Sequence, residues 1–177
     1  MKAVNNRILV KVNMEQKNSI LVGGIMLSTA IKFETNYREK SPVLAEVIEG
    51  NNRIPKGAII CCHHNHFYSP SPYQLEADLF SIPFNKTIFA TVSKKGNLSA
   101  VCGNVLGERV PIKSKLALKE ATYVDRILVK DKGWASYKEG SIIICRPNAP
   151  YDIVYNWNGF ERQVTKVSED MICGYLK

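Results

Sequence analysis

The sequence predicts an all-β protein built as two tandem small β-barrels, and three observations carry that prediction. Short runs of β-branched and aliphatic residues alternate with Gly, Pro and Asn along the 177-residue chain. One set of motifs recurs at a separation of 83 positions. Helical patterning is weak, because only Lys113–Ala121 has a helix-forming composition and that stretch is short and uncapped.

Each candidate strand is an apolar run that a turn-forming residue interrupts. The first begins after Asn5–Asn6, another begins at Gly57, and its counterpart in the second half begins at Gly140. In chain order the candidate strands are 7–12, 42–48, 57–62, 78–82, 87–92, 99–102, 108–112, 123–130, 140–145, 152–155, 161–167 and 171–176. Many short strands at such spacing are typical of barrels and sandwiches.

The internal repeat divides the chain into units 1–92 and 97–177, joined by the polar stretch 93–97. Gly57–Cys62 resembles Gly140–Cys145. The same separation pairs Gly50 with Gly133, Ile88 with Met171, Phe89 with Ile172, and Ala90 with Cys173. A rival match, Arg7–Lys11 with Arg126–Lys130, has a separation of 119 and is interpreted as two similar strands at different topological positions.

Composition favours a reduced, water-soluble protein. No apolar run is long enough to span a membrane and no secretory signal begins the chain, so we expect a cytoplasmic location. The five cysteines are odd in number and lie in apolar runs, which favours free thiols over disulfides. The net charge of +8 is spread along the chain, so it indicates a solvated surface, and nucleic acid is an unfavoured partner.

The segment 13–40, between the first two strands of the first unit, carries the most distinctive motif. Gly23 and Gly24 precede the apolar triplet Ile25, Met26 and Leu27, and polar sequence lies on both sides. A polar segment with a short apolar centre is suited to docking in the groove of another protein.

The order of motifs resembles the GroES family, the small co-chaperonins that cap the chaperonin ring. The residues that carry the resemblance are Arg7–Lys11, Gly23–Leu27, Val43–Gly50 and Lys56–Ile60, with Lys138–Ile144 and Ser168–Tyr175 in the second half. The resemblance covers most of 4–92 and less of 97–177. The second half departs from the family because Lys113–Ala121 replaces a Gly-Gly-aliphatic loop.

The resemblance implies two tandem GroES-like β-barrels, the second lacking the docking motif. It implies that Gly23, Gly24, Ile25, Met26 and Leu27 bind a chaperonin ring to assist protein folding, and that the protein forms a homo-oligomeric ring. A virus-encoded co-chaperonin fits this description. The alternative is a structural protein of a virion shell or collar that uses a tandem GroES-like barrel to contact its virion neighbours.

A second alternative concerns the segment itself. Positions 25 and 27 share the alternation of a strand, so Ile25 and Leu27 could instead belong to a β-hairpin that packs into its own barrel. The two alternatives place the same side chains on a partner or in the core.

Other candidate sites carry weaker signals. On a continuous strand Cys62, His64 and His66 would share one face and offer three metal ligands, but buried cysteines that lead into a polar turn are the favoured interpretation. The aromatics Phe67, Tyr68 and Tyr73 could face a ring cavity or a partner, or cover a barrel end. Phosphate-binding, dinucleotide and nucleophile-elbow motifs are missing, so we expect neither enzyme activity nor a cofactor.

Overall fold

The computed structural model of the chain describes residues 6–12, 19–22, 25–28, 39–40, 42–63, 66–67, 71–84, 88–111 and 125–176. In chain order its strands are β1 (Arg7–Val12), β2 (Ser19–Val22), β3 (Ile25–Ser28), β4 (Glu39–Lys40), β5 (Val43–Glu49), β6 (Ile59–Cys62), β7 (Leu79–Pro83), β8 (Ile88–Val92), β9 (Leu98–Ala100), β10 (Asn104–Arg109), β11 (Asp125–Asp131), β12 (Ile142–Cys145), β13 (Tyr151–Trp157), β14 (Phe160–Ser168) and β15 (Ile172–Leu176). A 3₁₀ turn, Glu169–Met171, precedes β15.

The predicted all-β class is confirmed. Each of the twelve predicted strands overlaps an observed strand; the largest displacement is at β10, predicted at 108–112 and observed at Asn104–Arg109. The first sheet has the order β7–β1–β5–β6–β8–β9 and the second has the order β15–β12–β11–β10–β14–β13–β4. Their strands pair antiparallel, apart from the parallel pair β13–β4.

The two sheets repeat one topology. The order β7–β1–β5–β6–β8 is matched by β14–β10–β11–β12–β15. The irregularity between Leu9 and Val10 recurs between Leu106 and Gly107, and another, next to Cys62, recurs next to Cys145. Since β-bulges are local features of the backbone, their shared positions support the repeat independently of residue similarity.

The registers correct the predicted alignment by one residue at each end. Cys62 pairs with Ile88 and Cys145 with Ile172, so the separation at the closing strand is 84. The predicted alignment of residues 88–90 with residues 171–173 is therefore wrong by one position. Leu9 and Leu106, each of which precedes an irregularity, are equivalent, and their strand partners are Glu49 and Asp131. The separation between β5 and β11 is therefore 82. The predicted alignment of Gly50 with Gly133 is also wrong by one position.

The turn that leads into β6 and β12 is the best-preserved part of the repeat. Gly57 and Gly140 have φ angles of 81° and 85°, which favour glycine. Their N–H groups donate to the carbonyls of Val47 and Val129 at 2.7 and 2.8 Å. The separation of 83 here is the one that the sequence predicts.

Each unit encloses its own core. Phe80 and Ile82 of β7 belong to the same buried cluster as Ile88 of β8, although several strands separate β7 from β8 in the sheet order. Likewise Val167 of β14 packs in a cluster that Ile172 of β15 contacts. Both sheets therefore curl around a core, as a small barrel does.

A third buried cluster joins the two units. Phe89, Ala90 and Val92 of β8 belong to it together with Ile153 and Tyr155 of β13. Residues 93–97, predicted as a linker, form the tight turn between β8 and β9, and the Tyr155 hydroxyl donates to Gly96 O at 2.9 Å. The first sheet consequently extends through β9, beyond the predicted boundary at residue 92. The boundary between the units stays a prediction.

Among the described residues, no helix is long and apolar enough to cross a bilayer.

Candidate functional site

The apolar triplet predicted to bind a partner lies on a small, separate β-hairpin. β2 and β3 pair antiparallel with Val22 opposite Ile25 and Ser19 opposite Ser28. Within the described part of the chain these two strands form their own sheet and have no ladder with either large sheet. Gly23 and Gly24, which connect the two strands, lie outside the described residues. The hairpin of the second alternative is therefore present in the backbone, as a unit apart from both barrel sheets.

The register divides the hairpin into two sets of positions. Positions 20, 22, 25 and 27 fall on one face because successive residues of a strand alternate between faces. All four are aliphatic in sequence, whereas the other face has Leu21 and Met26 between the polar pair Ser19 and Ser28. One face of the hairpin is thus apolar by composition, and it includes Ile25 and Leu27 but not Met26.

The segment returns to the fold through the second unit. In β4, Glu39 pairs with Asp152 and Lys40 with Ile153 of β13, before the chain enters β5 of the first sheet. The segment 13–40 therefore leaves the first unit at Val12 and is held at its far end by the second. Nothing in the local sequence of Glu39–Lys40 indicates this pairing.

A partly buried ion network supports the strand on which β4 pairs. Arg109 Nε donates to both carboxylate oxygens of Asp152 at 3.1 Å, and Arg109 Nη1 donates to Asp125 Oδ1 at 2.7 Å. The Thr165 hydroxyl donates to Asp152 Oδ1 at 2.8 Å. Since these residues belong to β10, β11, β13 and β14, the network ties four strands of the second sheet together.

The second unit has a shorter connection at the equivalent place. Thirty residues separate Val12 from Val43, whereas 15 separate Arg109 from Asp125. Residues 112–124, including the predicted helix 113–121, lie outside the described residues. The connection contains no Gly-Gly-aliphatic motif, so the triplet occurs once per chain.

The aromatic residues predicted to face a cavity or a partner differ in burial where the structure describes them. Phe67 is 3% exposed and packs edge-on against Phe80 at a ring-centroid distance of 5.0 Å, so its prediction as a cavity or partner-facing residue is wrong. Its ring completes the first core. Tyr73 is partly buried, and its ring centroid lies 5.0 Å from that of His66. The Arg7 guanidinium lies over the Tyr73 ring, with Cζ 5.3 Å from the ring centroid. Tyr68 lies outside the described residues.

The hypothesis that Cys62, His64 and His66 bind a metal requires one continuous strand. β6 ends at Cys62, so no continuous strand aligns Cys62 with His66, and His64 lies outside the described residues. Cys62 is fully buried in the first core, whereas His66 contacts Tyr73 at the surface of the unit. In the described part of the chain, no three His, Cys, Asp or Glu side chains cluster as metal ligands would. Burial lowers the pKa of His66.

Three of the five thiols are buried and a fourth, Cys102, is half-buried. Burial raises the pKa of Cys61 and of Cys62 well above the ordinary value for a thiol. Burial also raises the pKa of Cys145 to about 12 and that of Cys102 to about 11, the latter against an opposing effect of Arg53. Cys173, on β15, is exposed.

We expect Cys173 alone to react rapidly with a thiol reagent in the native protein at pH 8. The thiolate is the reactive form, so burial and raised pKa values both protect the other four cysteines. Mass spectrometry after brief treatment with iodoacetamide would show one adduct on the native chain and five after unfolding. The variant Cys173→Ser would show none in the native state; rapid labelling of a second native thiol would contradict the burial described.

No known protein-family model matches this chain, and a search of curated proteins finds no match. The resemblance to the GroES family therefore rests on the order of the sequence motifs and stays a prediction.

Proposed function

We propose that the protein is a co-chaperonin-like binding module that docks on a chaperonin ring through the hairpin that carries Ile25, Met26 and Leu27. The observation that carries the proposal is the place of the β2–β3 hairpin. It is inserted between β1 and β5, two central strands of the first sheet, yet it has no ladder with that sheet among the described residues. An element joined to the body in this way can present its side chains to a partner.

The local sequence suits a hairpin that presents one apolar face. A two-residue connection between antiparallel strands favours glycine, which Gly23 and Gly24 supply. The aliphatic positions 20, 22, 25 and 27 share a face, so the pattern adds two positions of the preceding strand to Ile25 and Leu27 and leaves Met26 on the other face. A short β-hairpin with an apolar face is only marginally stable alone and gains from a surface that covers it.

The energetic argument requires several copies. Full burial of one aliphatic side chain contributes roughly 1.5–3 kcal/mol, and ordering the segment offsets part of this. One hairpin would therefore bind weakly. Several hairpins on one assembly would bind tightly, because each engagement after the first is intramolecular. With one motif per chain, the avidity depends on the number of chains.

We expect the double variant Ile25→Ser/Leu27→Ser to lose at least about a hundredfold in affinity for a purified chaperonin ring. The two side chains together account for several kcal/mol of burial, and about 1.4 kcal/mol corresponds to a tenfold change. Surface plasmon resonance with the immobilised ring measures the loss. A peptide of residues 18–30 should compete with the ring's own co-chaperonin, whereas a scrambled peptide should not.

The matched control removes an apolar side chain elsewhere. Phe160, at the β13–β14 turn, is 71% exposed, so Phe160→Ser should leave chaperonin binding unchanged. Equal affinity of the double variant and the parent chain would refute docking through this face. Equal losses for the double variant and Phe160→Ser would indicate non-specific adhesion.

The pairing of β4 favours a second candidate function, that of a structural protein. Because β4 joins β13, the segment 13–40 is tied to both units at its ends. A tethered segment of this kind suits a permanent contact in a shell or collar as well as reversible docking. Stable assembly of the chain without any chaperonin, together with no affinity for the ring, would favour this function.

A further inference from the structure

A row of rings and cations crosses from the first unit to the second, and neither the fold nor the proposed docking uses it. We name it the junction row. Every member is partly exposed, so the row belongs to the surface of the protein and not to a core. In spatial order its members are Arg7, Tyr73, His66, His63, Tyr151 and Lys166.

Neighbouring members of the row lie close enough to form one continuous surface. In the first unit, the Tyr73 ring lies between the Arg7 guanidinium and the His66 ring, as described above. The ring centroids of His66 and His63 are 6.4 Å apart, and that of His63 is 5.6 Å from that of Tyr151. Lys166 Nζ completes the row, 5.8 Å from the centroid of the Tyr151 ring. The contact between His63 and Tyr151 is where the row passes from one unit to the other.

The sheet register fixes the end of the row in the second unit. Lys166 of β14 is opposite Tyr151 of β13 on one side and opposite Leu106 of β10 on the other. Residues directly opposite one another share a face of the sheet. Leu106 belongs to the cluster that joins the units, and Lys166 Nζ lies 5.6 Å from the ring centroid of Phe89 in that cluster. Lys166 is thus placed where the two units meet.

The charge of the row has one sign. It contains two cations, two imidazoles and no carboxylate. In the described part of the chain neither Arg7 nor Lys166 forms an ion pair; the Arg7 guanidinium donates to Ser81 O at 3.3 Å. Burial lowers the pKa of Lys166, against an opposing effect of Asp170. An added anion would therefore stabilise the charged form of this ammonium.

The combination of rings and cations selects among anionic ligands. Surfaces that bind single-stranded nucleic acid alternate aromatic rings, on which bases stack, with cations that contact phosphates. An acidic peptide would use the cations and leave the rings without a role, and a duplex keeps its bases stacked on one another. The even spread of basic residues in the sequence disfavours nucleic acid, but the fold brings cations from opposite ends of the chain into one row.

We propose that the junction row binds single-stranded nucleic acid, with phosphates at Arg7 and Lys166 and bases against the rings between them. The strand lies across both units, so neither unit holds the whole site.

This site is independent of the proposed docking on a chaperonin. The row contains no residue of the β2–β3 hairpin, and its ligand is of a different chemical class. Binding of nucleic acid is measured without a chaperonin, and docking is measured without nucleic acid. Failure of either proposal therefore leaves the other unaffected.

The first test is a titration of a fluorescent thymidine oligonucleotide of about 16 nucleotides with the full chain, followed by anisotropy at several salt concentrations. We expect binding at about 50 mM salt that weakens linearly on a logarithmic plot, and Arg7→Met and Lys166→Met should each reduce the slope by about 0.7. Lys11→Met, on the same strand as Arg7 and outside the row, should keep the parent slope. No binding by the parent chain, or one slope for all three variants, overturns the proposal.

The second test concerns the rings. Loss of one stacked base corresponds to roughly a 5- to 150-fold loss of affinity, so we expect Tyr73→Leu and His66→Ala each to weaken binding within that range at pH 8. The salt slope should stay unchanged, because neither residue is charged at that pH. Phe160→Ala, which removes an exposed ring outside the row, should bind as the parent does. Circular dichroism verifies that each variant is folded, and parent affinity in the folded ring variants overturns the proposal.

The third test separates nucleic acid from other polyanions. Unlabelled oligothymidine should displace the fluorescent strand at least about tenfold better than poly-glutamate or a duplex of equal charge, since only the single strand offers free bases. Equal displacement by poly-glutamate would identify the row as a general anion surface and overturn the proposal. Equal displacement by the duplex would contradict stacking on the rings and overturn it as well.

Discussion

The variant Arg109→Met is expected to lose about 3 kcal/mol of its free energy of unfolding, since it leaves two carboxylates without their cation. The Asp152 and Asp125 side chains are 12% and 23% exposed, so water replaces the guanidinium poorly. Arg109 Nη2 also donates a hydrogen bond to Pro150 O at 3.2 Å, and methionine has no side-chain donor to replace it. Urea unfolding followed by circular dichroism, at one fixed protein concentration, measures the loss.

A surface ion pair provides the control for this measurement. Lys11 Nζ lies 3.2 Å from Asp78 Oδ2, with side chains 57% and 36% exposed, so Lys11→Met should cost less than about 1 kcal/mol. The double variant Arg109→Met/Asp152→Leu should lose less than the sum of its single variants, because it removes both partners of a pair. Equal losses for Arg109→Met and Lys11→Met would contradict a structural role for the network.

Phe80→Ala is the second large effect, at about 3–5 kcal/mol of unfolding free energy. Phe80 is fully buried in the first core and packs against Phe67. Truncation of its side chain therefore leaves a cavity beside the Phe67 ring. The same urea experiment measures it. Phe160→Ala, which removes an equal volume at an exposed position, should change stability by less than about 0.5 kcal/mol. A loss below 1 kcal/mol for Phe80→Ala would contradict the packing of this core.

The strands were predictable because their signals are local. An apolar run between turn-forming residues marks a strand wherever it packs, and Gly57 and Gly140 mark equivalent turns by a backbone conformation that favours glycine. The predicted alignment of the repeat is wrong by one residue at Gly50 and at Ile88, because the loops between equivalent strands differ in length. A single separation cannot follow such changes along a whole unit.

Features that depend on distant parts of the chain were not predictable. β4 has two residues, and its partner β13 lies more than 100 positions away, so no periodic pattern marks it. Phe67 follows the end of a strand, where alternation no longer indicates burial, yet it packs in the core. The turn 93–97 has the composition of a linker and is held by contacts with the second unit.

The candidate site was predictable in its residues but not in its setting. Gly23–Leu27 is recognisable as a glycine pair and an apolar triplet. That the triplet belongs to a separate two-stranded sheet depends on the pairing of β2 with β3. The additional aliphatic positions 20 and 22 became relevant only through that register.

Light scattering of the protein mixed with a purified chaperonin ring, with and without nucleotide, tests the proposed docking most directly. The proposal predicts a complex that forms only with nucleotide, whose mass exceeds that of the ring by several multiples of 19.9 kDa, and that Ile25→Ser/Leu27→Ser abolishes. A ring whose mass stays unchanged by the protein in both conditions would contradict the proposed function.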